Sequence, residues 1–202
     1  MKNIKAFFKR GLLGENAPLV LLVGLTPFLG ASKLLSGGVI MGVAAIIVLT
    51  LSALFVSLVR KIIPQAIKPV VYMIIIAGFV TAVEILIRTF LPIIFKEIGM
   101  YIPLLAVSGF VFAKADSVAD KNAVGFSVCD VLASGVGFFC AIVVFSFIRE
   151  LFGCGTIWGL RIFPEQYGMR YLSMPAGALI LLGFMIAVFR LFTAKKDEEG
   201  GK

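Results

Sequence analysis

The chain has 202 residues, of which 60% are hydrophobic, and its mean hydropathy is +1.08. Those values exclude a soluble domain and fit an integral membrane protein with room for about six spans of roughly 20 residues. The net charge of +8 is scattered over segment ends instead of forming a basic stripe, which excludes nucleic-acid binding. The chain has no histidine, so histidine-based metal sites and histidine acid–base catalysis are excluded as well.

The first third of the chain begins with a basic stretch, Met1–Gly14, in which lysines are interleaved with apolar residues. This pattern predicts an amphipathic helix on the cytoplasmic surface, near anionic lipid. An apolar segment follows at about Ala17–Leu35. We expect it to break at Thr26–Pro27, because proline lacks an N–H and clashes with the preceding helical turn. Ser36–Gly38 predicts a tight turn, and Val39–Val59 predicts an uninterrupted span.

The middle of the chain contains one regular span and one interrupted segment. Pro69 suits the first turn of a helix, which predicts a third span that ends near Ile87. Thr89–Met100 contains a proline and two charges, and predicts a re-entrant piece or a lip at the membrane surface. The fourth segment, Pro103–Ala113, is too short to cross a membrane alone and lies within the second break.

The last third of the chain alternates polar and apolar stretches. Lys114–Phe126 predicts a polar loop, and Val128–Ile148 predicts a fifth span. Arg149–Ser173 predicts the longest loop of the chain. A sixth span is expected at Met174–Phe192, followed by a charged and frayed tail over residues 193–202.

Six spans divide naturally into three plus three, with residues 15–88 as one half and residues 89–192 as the other. Because each half has an odd number of spans, the second half enters the membrane in the opposite sense, which makes an inverted repeat. We therefore predict an all-α integral membrane protein with one polytopic domain, whose first and fourth helices are broken. Interrupted segments in corresponding halves indicate a membrane site. The alternative is that proline and glycine are simply common in membrane helices.

The positions of lysine and arginine predict the orientation of the chain in the membrane. With the N-terminus in the cytoplasm, 13 of these residues lie inside and 6 lie outside. This distribution predicts that both termini are cytoplasmic. A five-span arrangement would place the basic C-terminus outside, whereas lysine and arginine are normally in excess on the cytoplasmic side.

Few residues in the predicted spans carry charge. Glu84 lies one turn before Arg88, and the two side chains suit an i, i+4 ion pair at the interface. Asp130 opens the fifth segment, where a carboxylate suits the positive end of a helix dipole. Either carboxylate could instead lie on an ion path, because intramembrane carboxylates often do.

The three cysteines, Cys129, Cys140 and Cys154, have no C-x-x-C spacing. Cys129 and Cys140 are eleven residues apart, which places them on one helix face at a separation of roughly 16 Å, too far to share one metal. We predict that both are buried apolar fillers. Cys154 falls in the predicted outer loop as a free thiol.

Several short motifs are spread along nearly the whole chain. They are Gly24-Leu25-Thr26-Pro27; Ile102-Pro103-Leu104 followed by Ser108-Gly109; Lys114-Ala115-Asp116; Asp130; Arg149-Glu150 with Gly153, Gly155 and Thr156; and Pro175-Ala176-Gly177-Ala178. In that order they resemble G-L-C-P, I-P-L with N-C, R-A-E, an aspartate, R-E-x-x-G-x-G-T and P-P-G-A. These are motifs of the family of membrane subunits that includes the E subunit of Rnf complexes and the D subunit of the sodium-pumping NADH:quinone reductase.

The resemblance implies six helices in an inverted three-plus-three repeat, with both termini cytoplasmic, in the cytoplasmic membrane of a bacterium or archaeon. It implies a sister subunit of inverted topology, the A-type subunit of Rnf complexes, and partner subunits that carry flavins and iron–sulfur clusters. It also implies a cofactor at the breaks. One cysteine in each broken helix and two from the sister subunit hold a 2Fe–2S centre that relays electrons across the membrane.

This chain departs from the family at the cluster positions, where it has Thr26 and Gly109. Neither residue supplies a thiolate, and such clusters are held by cysteine. We therefore predict that the chain contributes no iron–sulfur ligand. We also expect no catalytic residue, no metal site and no activity of the chain alone.

Two functions remain open at this point. The chain could be a membrane subunit of a redox-driven pump for Na+ or H+, of the Rnf ferredoxin:NAD+ oxidoreductase type. It could instead be a divergent relative without a redox role, acting as a transporter or as a scaffold subunit of another membrane complex. The candidate ion-path or gate residues are Thr26, Pro27, Ser108, Gly109, Asp130 and Glu84.

Overall fold

The computed structural model describes residues 20, 22–116, 124–158, 160–161 and 170–200, and these are mostly helical. The predicted amphipathic helix at Met1–Gly14 and most of the predicted loop Lys114–Phe126 lie outside the described residues. The α-helices are α1 (Leu25–Ala31), α2 (Leu35–Val59), α3 (Lys68–Phe90), α4 (Pro92–Ile98), α5 (Gly109–Lys114), α6 (Val124–Cys154), α7 (Arg170–Ser173) and α8 (Pro175–Gly200). Short 3-10 turns lie at Gln65–Ile67 and Pro103–Leu105.

Three stretches within the described residues are long and apolar enough to cross a membrane, namely Leu35–Val59, Gln65–Phe90 and Ser127–Cys154. They correspond to the predicted second, third and fifth segments. A shorter apolar stretch of α8, Pro175–Leu191, corresponds to the sixth. The first and fourth segments instead contain α1 and α5, which are seven and six residues long.

The first break lies at Gly24, and the prediction of a break at Thr26–Pro27 is wrong. Gly24 has a φ of 78°, in the left-handed region that favours glycine, and it precedes the first residue of α1. Pro27 is the third residue of α1, where its missing N–H costs no intrahelical hydrogen bond. The proline therefore lies within the first turn of a short helix instead of interrupting one.

The turn predicted at Ser36–Gly38 is also wrong, because α2 begins at Leu35 and includes these residues. The two glycines allow close packing. A Cβ atom added to Gly38 would overlap the Ser146 hydroxyl of α6. Small residues at a helix contact let two backbones approach closely in a membrane, where apolar lipid gives little hydrophobic drive for association.

Helices α2 and α6 form the most extensive helix–helix contact among the described elements. Gly42 lies against Phe139 and Ile142, and Gly135 lies against Ile46. Small residues of both helices therefore line this contact. The α2–α6 pair forms the centre of the fold, and α3 packs against α2 with much of its own surface exposed.

Helix α6 extends beyond the predicted fifth span at both ends, starting at Val124 and continuing to Cys154. A hairpin of two-residue strands follows, in which Thr156–Ile157 pairs antiparallel with Leu160–Arg161. The predicted loop Arg149–Ser173 therefore begins within a helix.

Helix α8 continues to Gly200, beyond the sixth segment predicted to end at Phe192. Residues 193–199 contain alanine, lysine and glutamate, which favour helix, and no glycine or proline interrupts them before Gly200. The charged tail is therefore helical over these residues.

Candidate functional site: the two helix breaks and the charged ends of α6

The two breaks lie against each other. A Cβ atom built on Gly24 would lie 3.1 Å from the Ser108 hydroxyl oxygen and 3.3 Å from Cβ of Phe110. A Cβ atom built on Gly109 would lie 3.0 Å from Val23. The residues that precede α1 therefore contact the first residues of α5, although the two segments are some 80 residues apart in the sequence.

Helix α6 packs against both breaks through aromatic rings. Phe138 of α6 makes an edge-on contact with Phe28 of α1, with ring centroids 5.9 Å apart, and stacks on Phe110 of α5 at 5.5 Å. Phe145, two turns further along α6, contacts Phe28 at 5.0 Å. The three phenylalanines Phe28, Phe110 and Phe138 are almost completely buried. Both short helices are therefore packed on one face of α6.

Thr26 and Gly109, the two positions that the motif resemblance assigns to cluster cysteines, are both exposed on this chain, whereas their neighbours Pro27 and Ser108 are buried. Thr26 offers a neutral hydroxyl and Gly109 has no side chain, so these residues do not fit the thiolate ligands of a 2Fe–2S centre. Within the described residues, no group of three or more histidine, cysteine, aspartate or glutamate side chains could hold a metal ion.

Asp130 forms an ion pair with Lys114, at a distance of 3.2 Å between Oδ2 and Nζ. Both residues are buried. The prediction that Lys114 lies in a polar loop is wrong, because the lysine is the last residue of α5. Asp130 does not open its helix either, since α6 starts six residues earlier. The partner of the carboxylate is therefore a lysine, not a helix dipole.

Arg149 lies near the other end of α6 and is only 4% exposed. Its guanidinium donates to the backbone oxygens of Leu29 (2.8 Å), Leu172 (2.8 Å) and Ser173 (3.0 Å). It also donates to the Ser32 hydroxyl at 3.1 Å. Leu29 and Ser32 lie at the end of α1, and the other two residues at the end of α7. The predicted position of Arg149 in a surface loop is wrong.

Glu150 is 1% exposed and binds donors from two other elements. Its carboxylate accepts the backbone N–H of Leu35, the first residue of α2, at 2.6 Å, and the Thr156 hydroxyl at 3.0 Å. A carboxylate at the start of a helix satisfies an N–H that has no intrahelical partner. This contact explains why α2 begins at Leu35 instead of turning at the glycines that follow.

Glu84 is half-buried in α3, and Arg88 is exposed. Within the part of the chain that the structure describes, no ion pair joins the two side chains, so the predicted i, i+4 pair is not formed.

Cys129 and Cys140 are exposed on α6, and the prediction that they are buried fillers is wrong. Their spacing places both on one helix face, as expected, but the face turned toward α2 is a different one. Cys154 is a half-buried free thiol at the end of α6, with its sulfur 4.0 Å from the Ser173 hydroxyl.

Comparison with known proteins gives a match over most of the chain. Residues 4–186 match the family described as Rnf-Nqr subunit, membrane protein. The chain belongs to the Rnf-Nqr family. Its similarity to that family therefore covers both breaks, the Lys114–Asp130 pair and the Arg149–Glu150 pair.

Curated Rnf-Nqr relatives match over nearly their full lengths. The E subunit of the proton-translocating ferredoxin:NAD(+) oxidoreductase complex of Clostridium ljungdahlii is 34% identical over 199 residues, which cover 98% of this chain and 93% of the relative. The E subunit of the Na(+)-translocating ferredoxin:NAD(+) oxidoreductase complex of Acetobacterium woodii is 33% identical, with 96% of this chain and 98% of the relative covered. The E subunit of the ion-translocating oxidoreductase complex of Glaesserella parasuis is 32% identical, with 95% of this chain and 90% of the relative covered.

Sequence reasoning missed the buried positions of Lys114, Arg149 and Glu150. A sequence signal for Arg149 and Glu150 was available, because the two adjacent charges interrupt an apolar run that resumes at Leu151–Phe152. An uninterrupted apolar pattern on both sides of two charges indicates a helix that continues through them. Lys114 carried no comparable signal, because it follows a short segment and precedes polar residues.

Proposed function

We propose that this chain is the E-type membrane subunit of an ion-translocating ferredoxin:NAD+ oxidoreductase complex. The observation that carries the proposal is full-length similarity to relatives named as the E subunits of such complexes. The contact between the two breaks supports it, because irregular backbone at membrane depth must be enclosed by protein or line a cavity. Catalysis takes place in partner subunits, and this chain contributes to ion translocation and to the path of electrons between the two sides.

The proposed transmembrane arrangement has six spans in an inverted three-plus-three repeat, with residues 15–88 and 89–192 as the two halves. Three apolar helices of spanning length and the shorter apolar stretch of α8 support it. The lysine and arginine distribution supports cytoplasmic termini. Single cysteines at Lys196 and at Gln166, in a background without native cysteines, should react from opposite sides of the membrane. Reaction of both from the outside would exclude the six-span arrangement.

The proposed partner at the breaks is the A-type sister subunit of inverted topology. Thr26 and Gly109 are exposed there, beside the exposed apolar side chains of Leu22 and Val107. A partner subunit would cover this surface and shield the interrupted backbone. Copurification of the sister subunit with this chain, and its loss when Val107 is replaced by aspartate, would support the contact. Undiminished copurification would contradict it.

The proposed cofactor assignment is that this chain gives no ligand to a 2Fe–2S centre. Thr26 and Gly109 support it, because they occupy the family cysteine positions without a thiolate. Flavins and iron–sulfur clusters would then be held by partner subunits. The test is iron content and electron paramagnetic resonance of the purified complex, with and without Thr26→Cys and Gly109→Cys together. A 2Fe–2S signal assigned to this subunit in the unaltered complex would overturn the assignment.

The proposed ion-path residues are Asp130 and, in α3, Glu84. Asp130 is a buried carboxylate paired with a buried lysine, and such groups within spans are costly and usually functional. Replacement of Asp130 by asparagine should reduce ion uptake per electron transferred in native membrane vesicles, relative to Asp116→Asn as the control. Unchanged uptake with Asp130→Asn would remove this residue from the path.

A second candidate function is favoured by the missing cysteines alone. The chain would then be a divergent relative without a redox role, serving as a transporter or as a scaffold subunit of another membrane complex. The two functions differ in what copurifies. A complex that contains flavin and iron and that reduces NAD+ with ferredoxin favours the first function, and a complex without either cofactor favours the second.

A further inference from the structure

The end of α6 joins parts of the chain that are far apart in the sequence. Arg149 binds the ends of α1 and α7, and Glu150 binds the start of α2 and the hairpin at Thr156. Two adjacent residues therefore bind four separate elements. The corner between α1 and α2 is bound on both sides, by the arginine at Leu29 and Ser32 and by the glutamate at Leu35.

The sign of each charge matches the helix end that it binds. Carbonyl groups at the end of a helix carry partial negative charge and lack intrahelical partners, and they suit a cation. The N–H groups at the start of a helix carry partial positive charge and suit a carboxylate. Arg149 and Glu150 therefore cap the two helices of one corner with the correct polarity. The planar guanidinium spreads five N–H donors over three nitrogens and so reaches four acceptors, whereas a lysine ammonium has three N–H donors on a single nitrogen.

Fixing the end of α1 also fixes its beginning. The helix has seven residues and a length of roughly 10 Å, so we expect a displacement of its end to shift its first turn as well. Its first turn adjoins Gly24, which contacts Ser108 and Phe110 of the second break. A shift of α1 at Leu29 would therefore change the contact between the two breaks.

The second break is held from the same helix. Asp130 binds Lys114 at the end of α5, nineteen residues before Arg149 in α6. That separation corresponds to roughly 28 Å along a helix, close to the thickness of the hydrocarbon core. Charged side chains of α6 thus bind the far ends of both short helices, whose near ends meet between them.

We propose that Arg149 is a positioning residue, which sets the position of α1 so that the first break stays in contact with the second. Its importance for transport rests on the function proposed above, whereas its effect on the contact does not. A merely structural arginine would change how much protein folds. A positioning arginine also changes the geometry of the breaks within the folded protein.

The test is disulfide formation between Val23→Cys and Gly109→Cys, in the full chain in native membranes and without native cysteines. Val23 and Gly109 are in contact, so the parent should crosslink rapidly. Arg149→Gln should slow crosslinking of the folded protein by at least roughly tenfold, because the loss of even one of the charge-assisted hydrogen bonds to Leu29 and Ser32 shifts an equilibrium by about that factor. Arg149→Lys should give an intermediate rate. Arg88→Gln, at an exposed arginine of α3, is the matched control and should leave the rate unchanged.

A milder variant keeps the test decisive if the Arg149 variants do not fold. Ser32→Ala removes one acceptor of the guanidinium at the end of α1, and with it the hydrogen bond that the Ser32 hydroxyl donates to the Leu29 oxygen, but it leaves the charges of Arg149 and Glu150 in place. It should slow crosslinking by roughly two- to threefold, in the range of weak neutral hydrogen bonds. Equal rates in the parent, Ser32→Ala and every Arg149 variant that folds would overturn the proposal. Absence of ferredoxin:NAD+ activity in the complex with the unaltered chain would overturn only the proposed function, because the crosslink needs no electron donor.

Discussion

The two ends of α6 hold the two short helices by different means. At one end, Asp130 binds the side chain of Lys114. At the other end, Arg149 binds mostly backbone oxygens, and Glu150 binds a backbone N–H. An ion pair between side chains can be removed as a unit, because both members can be replaced. A charge that caps backbone groups cannot be removed together with its partners, because the backbone groups remain after any side-chain substitution. We therefore expect the two ends to respond differently to mutation.

The largest effect is expected for Arg149→Leu. The substitution leaves the part-buried backbone oxygens of Leu29, Leu172 and Ser173 without this donor, and no second substitution can supply it. We expect a loss of about 3–5 kcal/mol in the free energy of unfolding, because three carbonyl groups each lose a charge-assisted hydrogen bond. Thermal unfolding in detergent, followed by the fraction of monodisperse protein, measures it. Arg88→Leu is the control, and equal midpoints for the two variants would contradict the expectation.

A somewhat smaller effect is expected for Asp130→Leu, at about 3 kcal/mol, because it leaves a buried ammonium without its carboxylate partner. Here a second substitution should compensate. Lys114→Met together with Asp130→Leu should return stability to within about 1 kcal/mol of the parent, since apolar replacement of a buried ion pair is often neutral. The same unfolding assay applies to the single and double variants. If the double variant were as unstable as Asp130→Leu alone, the expectation that the ion pair can be replaced as a unit would be wrong.

A moderate effect is expected for Glu150→Gln. The amide oxygen can still accept the Leu35 N–H, and the amide nitrogen can donate to the Thr156 hydroxyl, so both hydrogen bonds can persist without charge. We expect a loss of about 1 kcal/mol, the difference between charged and neutral hydrogen bonds. Glu150→Leu, which removes both bonds, should cost clearly more. Equal stability of Glu150→Gln and Glu150→Leu would show that the hydrogen bonds to Leu35 and Thr156 contribute nothing to the free energy of unfolding.

The smallest effect is expected at two exposed cysteines of α6, Cys129 next to Asp130 and Cys140 between the two ends. Both are exposed on the face of α6 turned away from α2. Cys129→Ala and Cys140→Ala should each change the unfolding free energy by less than about 0.5 kcal/mol, as usual for exposed positions. Ala141→Leu, at the buried neighbour of Cys140, is the contrasting variant and should destabilise through overpacking. A large loss of unfolding free energy with Cys140→Ala would contradict the assignment of this side chain to an exposed face of α6.

The predicted helices differ in how well the sequence defined them. The long spans over Val39–Val59 and Pro69–Ile87 correspond to α2 and α3, because a long apolar run in a membrane has helix as its stable form. The breaks were found from glycine and proline, but the first was misplaced. Pro27 stops a helix only if one precedes it, and whether one does depends on the conformation of Gly24.

The sequence by itself determined the class of the protein, the approximate positions of the long spans, the presence of two breaks and the family. These follow from hydropathy, periodicity and motifs, which are properties of local stretches. Only the tertiary structure decided that the breaks meet, that Cys129 and Cys140 face outward, and that Lys114, Arg149 and Glu150 are buried. Periodicity shows which residues share a helix face but not what that face contacts. A buried charge depends on partners more than a hundred residues away, such as Leu29 for Arg149 and Leu35 for Glu150.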